Sequence, residues 1–229
     1  MRILLTADIH GNMENVRRLA ERHQGLDVVI VAGDITNFGG AKQAQEALTM
    51  LAGCGERLFA VCGNCDLSEV AEFLENSKWG IEGRSARAAG YVFVGVGGSL
   101  PCPGKTPNEV GEDVLKDTLG KAIAEDADCQ GRRLVLVTHQ PPWGTRLDQA
   151  GEGKHAGSIS VRDFIEKHCP ALAISGHIHE AVAVDTLGQT TLVNPGPLRA
   201  GLYGLAELGQ AGVKVELKSL FEPTGSSAD

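Results

Sequence analysis

At 229 residues, with 42% hydrophobic and 22% charged side chains, the chain has the make-up of an ordinary globular protein and the length for one large core. Its longest apolar runs are strand-sized, so no helical membrane anchor is expected; the short apolar start leads directly into a strand without a small-residue cleavage site, which points to a cytoplasmic protein. The formal net charge of −8, with no Lys/Arg run or Arg-aromatic interleaving to offset it, argues against long nucleic acid as a partner.

In chain order, short apolar runs alternate with amphipathic segments. The pattern predicts strands over 3–7, 28–32 and 58–61 and helices over 13–24, 41–51 and 67–76, an alternation that implies βαβ units and a parallel sheet. A strand over 91–96 leads into a Gly/Pro-rich loop over 97–107, and a helix over 113–125 precedes a strand over 134–138. The loop over 140–157 carries Pro141-Pro142-Trp143-Gly144, and Ser158 is a fit N-cap for a helix ending near His168, ahead of Pro170. After a strand over 171–175 come short β runs over 181–184, 190–193, 201–206 and 213–217, so the C-terminal part is expected to be antiparallel and β-rich. One domain over 1–222 is expected, with a frayed, disordered tail over 223–229. Cys54, Cys62, Cys65, Cys102, Cys129 and Cys169, in a chain without a secretion signal, argue against a disulfide framework and are mostly expected as small buried residues.

The residues able to do chemistry fall just past predicted strands: Asp8 and His10, Asp34, Asn64 and Asp66, His139, then His177 and His179. The carboxyl ends of parallel strands face one crevice, so these residues should converge despite their separation in sequence. Asp66 aside, two Asp, one Asn and four His offer only oxygen and nitrogen donors, a mixture suited to Mn, Fe, Zn or Ni and poor for Ca, and a single ion would leave ligands unused. Each piece alone is weak, since a lone Asp-Ile-His is more often a surface turn and a lone His-x-His more often incidental; the weight lies in five together. Gly11, Gly33, Gly63 and Gly176 fit tight turns or close backbone approach beside a metal, though plain turn punctuation accounts for them as well.

Asp8-Ile9-His10, Gly33-Asp34, Gly63-Asn64-Cys65-Asp66, Thr138-His139 and Gly176-His177-Ile178-His179 stand in the order of a known signature. Over residues 8–179 the chain resembles the calcineurin-like metallophosphoesterases, and Asn194-Pro195-Gly196 is similar to that family's later turn. The resemblance implies a four-layer α/β/β/α sandwich and two divalent metal ions, with manganese favoured. It implies that Asp8, His10, Asp34 and His179 hold one ion and that Asp34, Asn64, His139 and His177 hold the other, Asp34 bridging. It further implies a small phosphate-ester substrate attacked by a hydroxide that bridges the metals, with Asp66 supporting the ligands from behind. A negative chain can still take such a substrate, because metal charge dominates at contact distance.

Most family members carry a histidine where this chain has Cys65, placed to protonate or hydrogen-bond the leaving oxygen. A thiol, with a pKa of about 8.5, is a weak donor, so good leaving groups should be preferred. The Gly-Asn-Cys-Asp version resembles a bacterial and archaeal branch acting on phosphodiesters, which makes diester hydrolysis the expected activity. Cys62-Gly63-Asn64-Cys65 is also a C-x-x-C sequence, but a thioredoxin-like redox role would leave six candidate ligands unexplained, and two reduced thiols are a simpler reading than an oxidative switch acting through Asn64. Trp143 is a candidate to stack on a base or aromatic leaving group, or else an anchor for its own loop. Arg199 is a candidate phosphate clamp or a surface salt-bridge partner, and His155 a candidate to reach the leaving group or an exposed loop residue. A binding module without catalysis, as in the retromer subunit that resembles this family, is the reading from a different class; such relatives lose ligands, whereas all seven are present here.

Overall fold

The computed structural model describes residues 1–124 and 133–221. Cys129, the end of the predicted fourth helix at 125 and the tail expected from Pro223 lie outside the described residues. The first half alternates as expected: β1 (Arg2–Thr6), α1 (Met13–Arg22), β2 (Leu26–Ala32), α2 (Ala41–Ala52), β3 (Gly55–Val61) and α3 (Ser68–Glu75). There follow β4 (Ser85–Ala88), β5 (Tyr91–Val96), α4 (Glu112–Ala124), β6 (Leu134–Thr138), a small hairpin of β7 (Gln149–Ala150) and β8 (Lys154–His155), and α5 (Ile159–His168). The chain then continues through β9 (Leu172–Ile174), β10 (Ala183–Leu187), β11 (Thr190–Asn194), β12 (Leu202–Gly209) and β13 (Gly212–Ser219).

The parallel strands divide between two sheets, where the alternation alone suggested one. The first has the order β13-β12-β1-β2-β3, with β1, β2 and β3 parallel and β12 antiparallel to β1. The second has the order β10-β11-β9-β6-β5-β4, parallel from β11 to β5 and closed at each edge by an antiparallel strand. The expected antiparallel C-terminal part is present as the β10-β11 and β12-β13 pairs, which cap different sheets.

Alternation along the strands builds the layers. Ile3, Leu5, Val28, Ile30 and Phe59 from the first sheet meet Phe93, Val135, Val137, Leu172 and Ile174 from the second. Phe59 and Phe93 bring their ring centroids to 4.7 Å across this seam. The opposite faces carry helices: Leu4, Val29 and Val31 pack on Leu19, Leu48 and Leu51 of α1 and α2, while Val94 and Leu136 pack on Leu115, Leu119 and Phe164 of α4 and α5. The result is the four-layer α/β/β/α arrangement implied by the resemblance, and strands buried on both faces explain why segments such as Leu26–Ala32 read as continuous apolar runs.

The two outer helices on the second sheet are tied at their starts. Ser158 caps α5 as expected, its hydroxyl accepting from Val161 N, and Glu112 at the start of α4 reaches across to the same terminus. Its carboxylate accepts from Ser158 Oγ at 2.6 Å, Ile159 N at 2.8 Å and Ser160 N at 3.0 Å. Partial burial pushes this carboxyl up, but those hydrogen bonds outweigh it and hold it below the usual range. A depressed folded-state pKa adds stability that is present above the unfolded value and lost as pH falls through the folded one. Glu112→Gln should therefore cost ~1 kcal/mol at pH 7. In urea melts the gap from wild type should close as pH falls below about 4; a gap that is constant with pH would show that charge plays no part in the cap.

Candidate metal centre

The sequence-predicted cluster assembles at the carboxyl ends of strands from both sheets. Asp8 and His10 follow β1, Asp34 follows β2, Asn64 follows β3, His139 follows β6, and His177 and His179 follow β9. Asp8, Asp34, Asn64 and His139 are buried, and the histidines at 10, 177 and 179 line the opening. Asp8, His10, Asp34 and His177 all take left-handed backbone angles, with φ of 52°, 46°, 48° and 70°. Such geometry costs roughly 1–3 kcal/mol per non-glycine residue and persists only where the surroundings enforce it.

Asp34 sits between two histidines supplied by different sheets. Its Oδ2 lies 3.5 Å from His10 Nε2 and its Oδ1 lies 3.5 Å from His139 Nε2. Cys65 N donates to Oδ1 at 2.8 Å, which fixes the carboxylate plane. On one side, His179 Nε2 lies 3.4 Å from Asp8 Oδ1 and 3.2 Å from His10 Nε2. On the other, His139 Nε2 lies 2.8 Å from Asn64 Oδ1, and the His139 and His177 ring centroids are 5.2 Å apart. Two donors about 2.1 Å from one cation and at right angles to each other sit about 3 Å apart, so these contacts have the edge lengths of coordination polyhedra.

The donor chemistry fits a cation. His139 Nδ1 donates to Ala32 O at 2.9 Å, a carbonyl that only accepts, which leaves Nε2 as the ring atom turned into the cluster. Burial pushes His10 down to about 4 and His177 down to about 3, which keeps both imidazoles in the ligand form. Burial also raises Asp34, assisted by the nearby Asp8 charge, and holds Asp66 up as well. His10 Nδ1 is buried without a partner, a cost of order 1–3 kcal/mol that the site carries.

Asp66 is buried beside this group. It accepts from Ile35 N at 3.1 Å, from Thr36 N and Thr36 Oγ1 at 2.8 Å, and from Gly63 N at 2.8 Å, joining the loops that carry Asp34 and Asn64. Gly63 is required by close approach: a Cβ there would overlap Asp34 N and Oδ1. Gly33 is required twice over, by a φ of 87° and by the His139 ring in the space a Cβ would take.

The remaining candidates lie on the rim. The rings of Trp143 and His155 meet at a tilt of 54° with centroids 5.8 Å apart, and neither hydrogen-bonds or stacks with the seven central residues among the described residues. Their loop is organised by buried Asp148, which accepts from Gly144 N, Thr145 N, Gly157 N and His155 Nδ1 at 2.8–3.0 Å. Trp143 remains 45% exposed, so the anchoring role falls to Asp148 and its ring is free on one side. Arg199 N donates to Asp8 O at 3.1 Å, and its positive charge acts on both His10 and His179. Its guanidinium forms no ion pair among the described residues, in place of the surface salt bridge that was the simpler expectation. Sequence reasoning missed Thr106 and Asn108: Asn64 Nδ2 donates to Thr106 Oγ1, while Asn108 N and Nδ2 donate to Asn64 O and Gly63 O, each at 3.0 Å. The Gly/Pro-rich composition marked this loop but nothing in it marked those contacts.

Comparison with known proteins shows the family and the shared fold. Residues 1–209 match the calcineurin-like phosphoesterase superfamily domain, and the chain belongs to that superfamily of phosphoesterases. It is 35% identical over 207 residues to protein MJ1162 of Methanocaldococcus jannaschii, covering 89% of this chain and 91% of that one. The fold is shared with TT1561 of Thermus thermophilus, with a TM-score of 0.73 at 21% identity over 96% of this chain and 98% of the other. It is also shared with a dimetal phosphatase from Danio rerio, with a TM-score of 0.63 at 13% identity over 96% of each chain.

Cys62 and Cys65 are free and buried, and neither has the environment of a reactive redox pair. Burial, then the charges of neighbouring carboxylates, pushes both thiols well above their ordinary range, whereas a reactive cysteine needs the opposite shift. Alkylation of the native protein with iodoacetamide, mapped by mass spectrometry, should label exposed Cys169 long before Cys62 or Cys65. Labelling of Cys65 at the rate of Cys169 would contradict the protected-thiol description.

Proposed function

We propose that the chain is a two-metal phosphoesterase that hydrolyses phosphodiesters of small molecules. The observation that carries this reading is Asp34, whose two carboxylate oxygens face histidines from opposite sides of the cluster. Asp8, His10, Asp34 and His179 would hold one divalent ion, and Asp34, Asn64, His139 and His177 the other. Carboxylate, amide and imidazole donors suit manganese, with iron, zinc and nickel as other ions such a set accepts. When bound, the two ions would make a shared water acidic enough to attack near neutral pH and would offset charge on the phosphoryl oxygens.

The chain's own groups then set the preference. Arg199, exposed, without an ion-pair partner among the described residues and felt electrostatically at His10 and His179, is placed to take a substrate phosphate oxygen, and Trp143 offers a free ring face to an aromatic leaving group. Cys65 stays a protonated thiol and gives weak assistance to a departing oxygen, which favours acidic leaving groups and esters with one negative charge rather than two. The net charge of −8 keeps long polyanions away, and the five described cysteines, all free, suit a reducing cytoplasm. No helix of the described residues is long and apolar enough to cross a membrane.

Steady-state kinetics with manganese would test this on an aryl diester, the matching monoester and an alkyl monoester. The wild type should show the highest kcat/KM on the diester, and Asp34→Asn should abolish turnover on all three. Cys65→His should raise the alkyl monoester rate towards ~10²-fold, the low end for a positioned general acid. Full activity in Asp34→Asn would sink the two-metal reading; identical behaviour of Cys65→Ala, Cys65→His and wild type on every ester would sink the role given to Cys65.

A further inference from the structure

Among the proposed ligands Asn64 alone has two unlike ends. A carboxamide presents one oxygen that binds a cation and one amino group that cannot, and the two ends are nearly the same shape. Here Oδ1 lies against His139 Nε2, while Nδ2 points away and donates to Thr106 Oγ1 at 3.0 Å. A hydroxyl both donates and accepts, so Thr106 by itself would tolerate either end.

Glu109 removes that freedom. Its Oε1 accepts from Thr106 N at 2.7 Å and from Thr106 Oγ1 at 3.0 Å, and Cys102 Sγ donates to it at 3.2 Å. The backbone hydrogen bond from Thr106, followed by the bond from Cys102, pulls this carboxyl down to about 2, and an ionised carboxylate only accepts. The Thr106 proton is therefore directed at Glu109 and its lone pairs at Asn64. A flipped Asn64 would set its oxygen against a hydroxyl with no proton to give.

We propose that Thr106, with its hydroxyl oriented by Glu109, is a positioning residue that holds the oxygen of the Asn64 carboxamide towards the second metal site. The inference rests on the two-metal reading of the centre. It assigns the loop over 97–110 a part in metal binding, through a relay from Glu109 to Thr106 to Asn64.

Calorimetric titration of the metal-free full chain with Mn²⁺ would test it, using wild type, Thr106→Val, Thr106→Ser, Asn64→Asp and the Asn64→Asp/Thr106→Val pair. Thr106→Val should weaken one of two binding events by ~10- to 100-fold, the usual effect of removing a partner behind a ligand, and leave the other unchanged. Thr106→Ser keeps the hydroxyl and should match wild type. Asp at position 64 has oxygen at both ends and needs no orienting, so in that background Thr106→Val should change affinity by no more than about 2-fold. Wild-type affinities in Thr106→Val, or an equal loss with and without Asn64→Asp, would overturn the proposal, the second by showing a general collapse of the loop. A wild type that binds no Mn²⁺ would overturn the two-metal reading and this inference with it.

Discussion

Everything at the centre of this protein is arranged around two carboxylates kept close together and away from water. Asp8 and Asp34 are both buried; the Asp8 charge adds to burial in pushing the Asp34 carboxyl up, while Asp8 itself is held down against burial by its hydrogen bond to His179 and the neighbouring imidazoles. Burying like charges costs several kcal/mol per ion unless opposite charge is supplied nearby. The site's own imidazoles contribute unequally: burial holds those at 10 and 177 neutral, whereas His179, through its hydrogen bond to Asp8, is shifted towards its cationic form. The centre gathers carboxylate, amide and imidazole donors within reach of one another, which a pair of divalent ions would complement.

The fold serves that arrangement by bringing two parallel sheets face to face so that their carboxyl ends share one opening. Asp34 from the first sheet meets His139 from the second, and Gly33 and Gly63 allow the backbones to come close enough for the contact. Asp66 joins the Asp34 and Asn64 loops with four hydrogen bonds, and the Asp148-centred loop holds the opposite rim. Four ligand candidates accept left-handed backbone angles, so local conformational preference yields to the geometry of the site.

Much of this was legible in the sequence because the strands are buried on both faces and end abruptly in Asp, Asn or His. The helices over Met13–Arg22 and Ala41–Ala52 and the strands over Tyr91–Val96 and Leu134–Thr138 follow the expected periodicities. The division into two sheets came from the family resemblance and not from periodicity, since a run such as Leu-Val-Leu-Val-Thr looks the same whichever sheet it joins. β4, Ser-Ala-Arg-Ala, has too little apolar alternation to mark an edge strand. The role of Asp148 did have a signal: Thr145-Arg146-Leu147-Asp148 is a capping-box pattern, and the structure closes both of its bonds. Thr106 and Asn108 had none, because their roles depend on where a loop lands and not on what surrounds them in sequence.

The most direct measurement is anomalous diffraction at the manganese edge from crystals grown with Mn²⁺. The two-metal description predicts two peaks about 3.5–4 Å apart, with one oxygen of Asp34 within bonding distance of each or its two oxygens divided between them. A single peak, or two peaks of which only one touches Asp34, would contradict it.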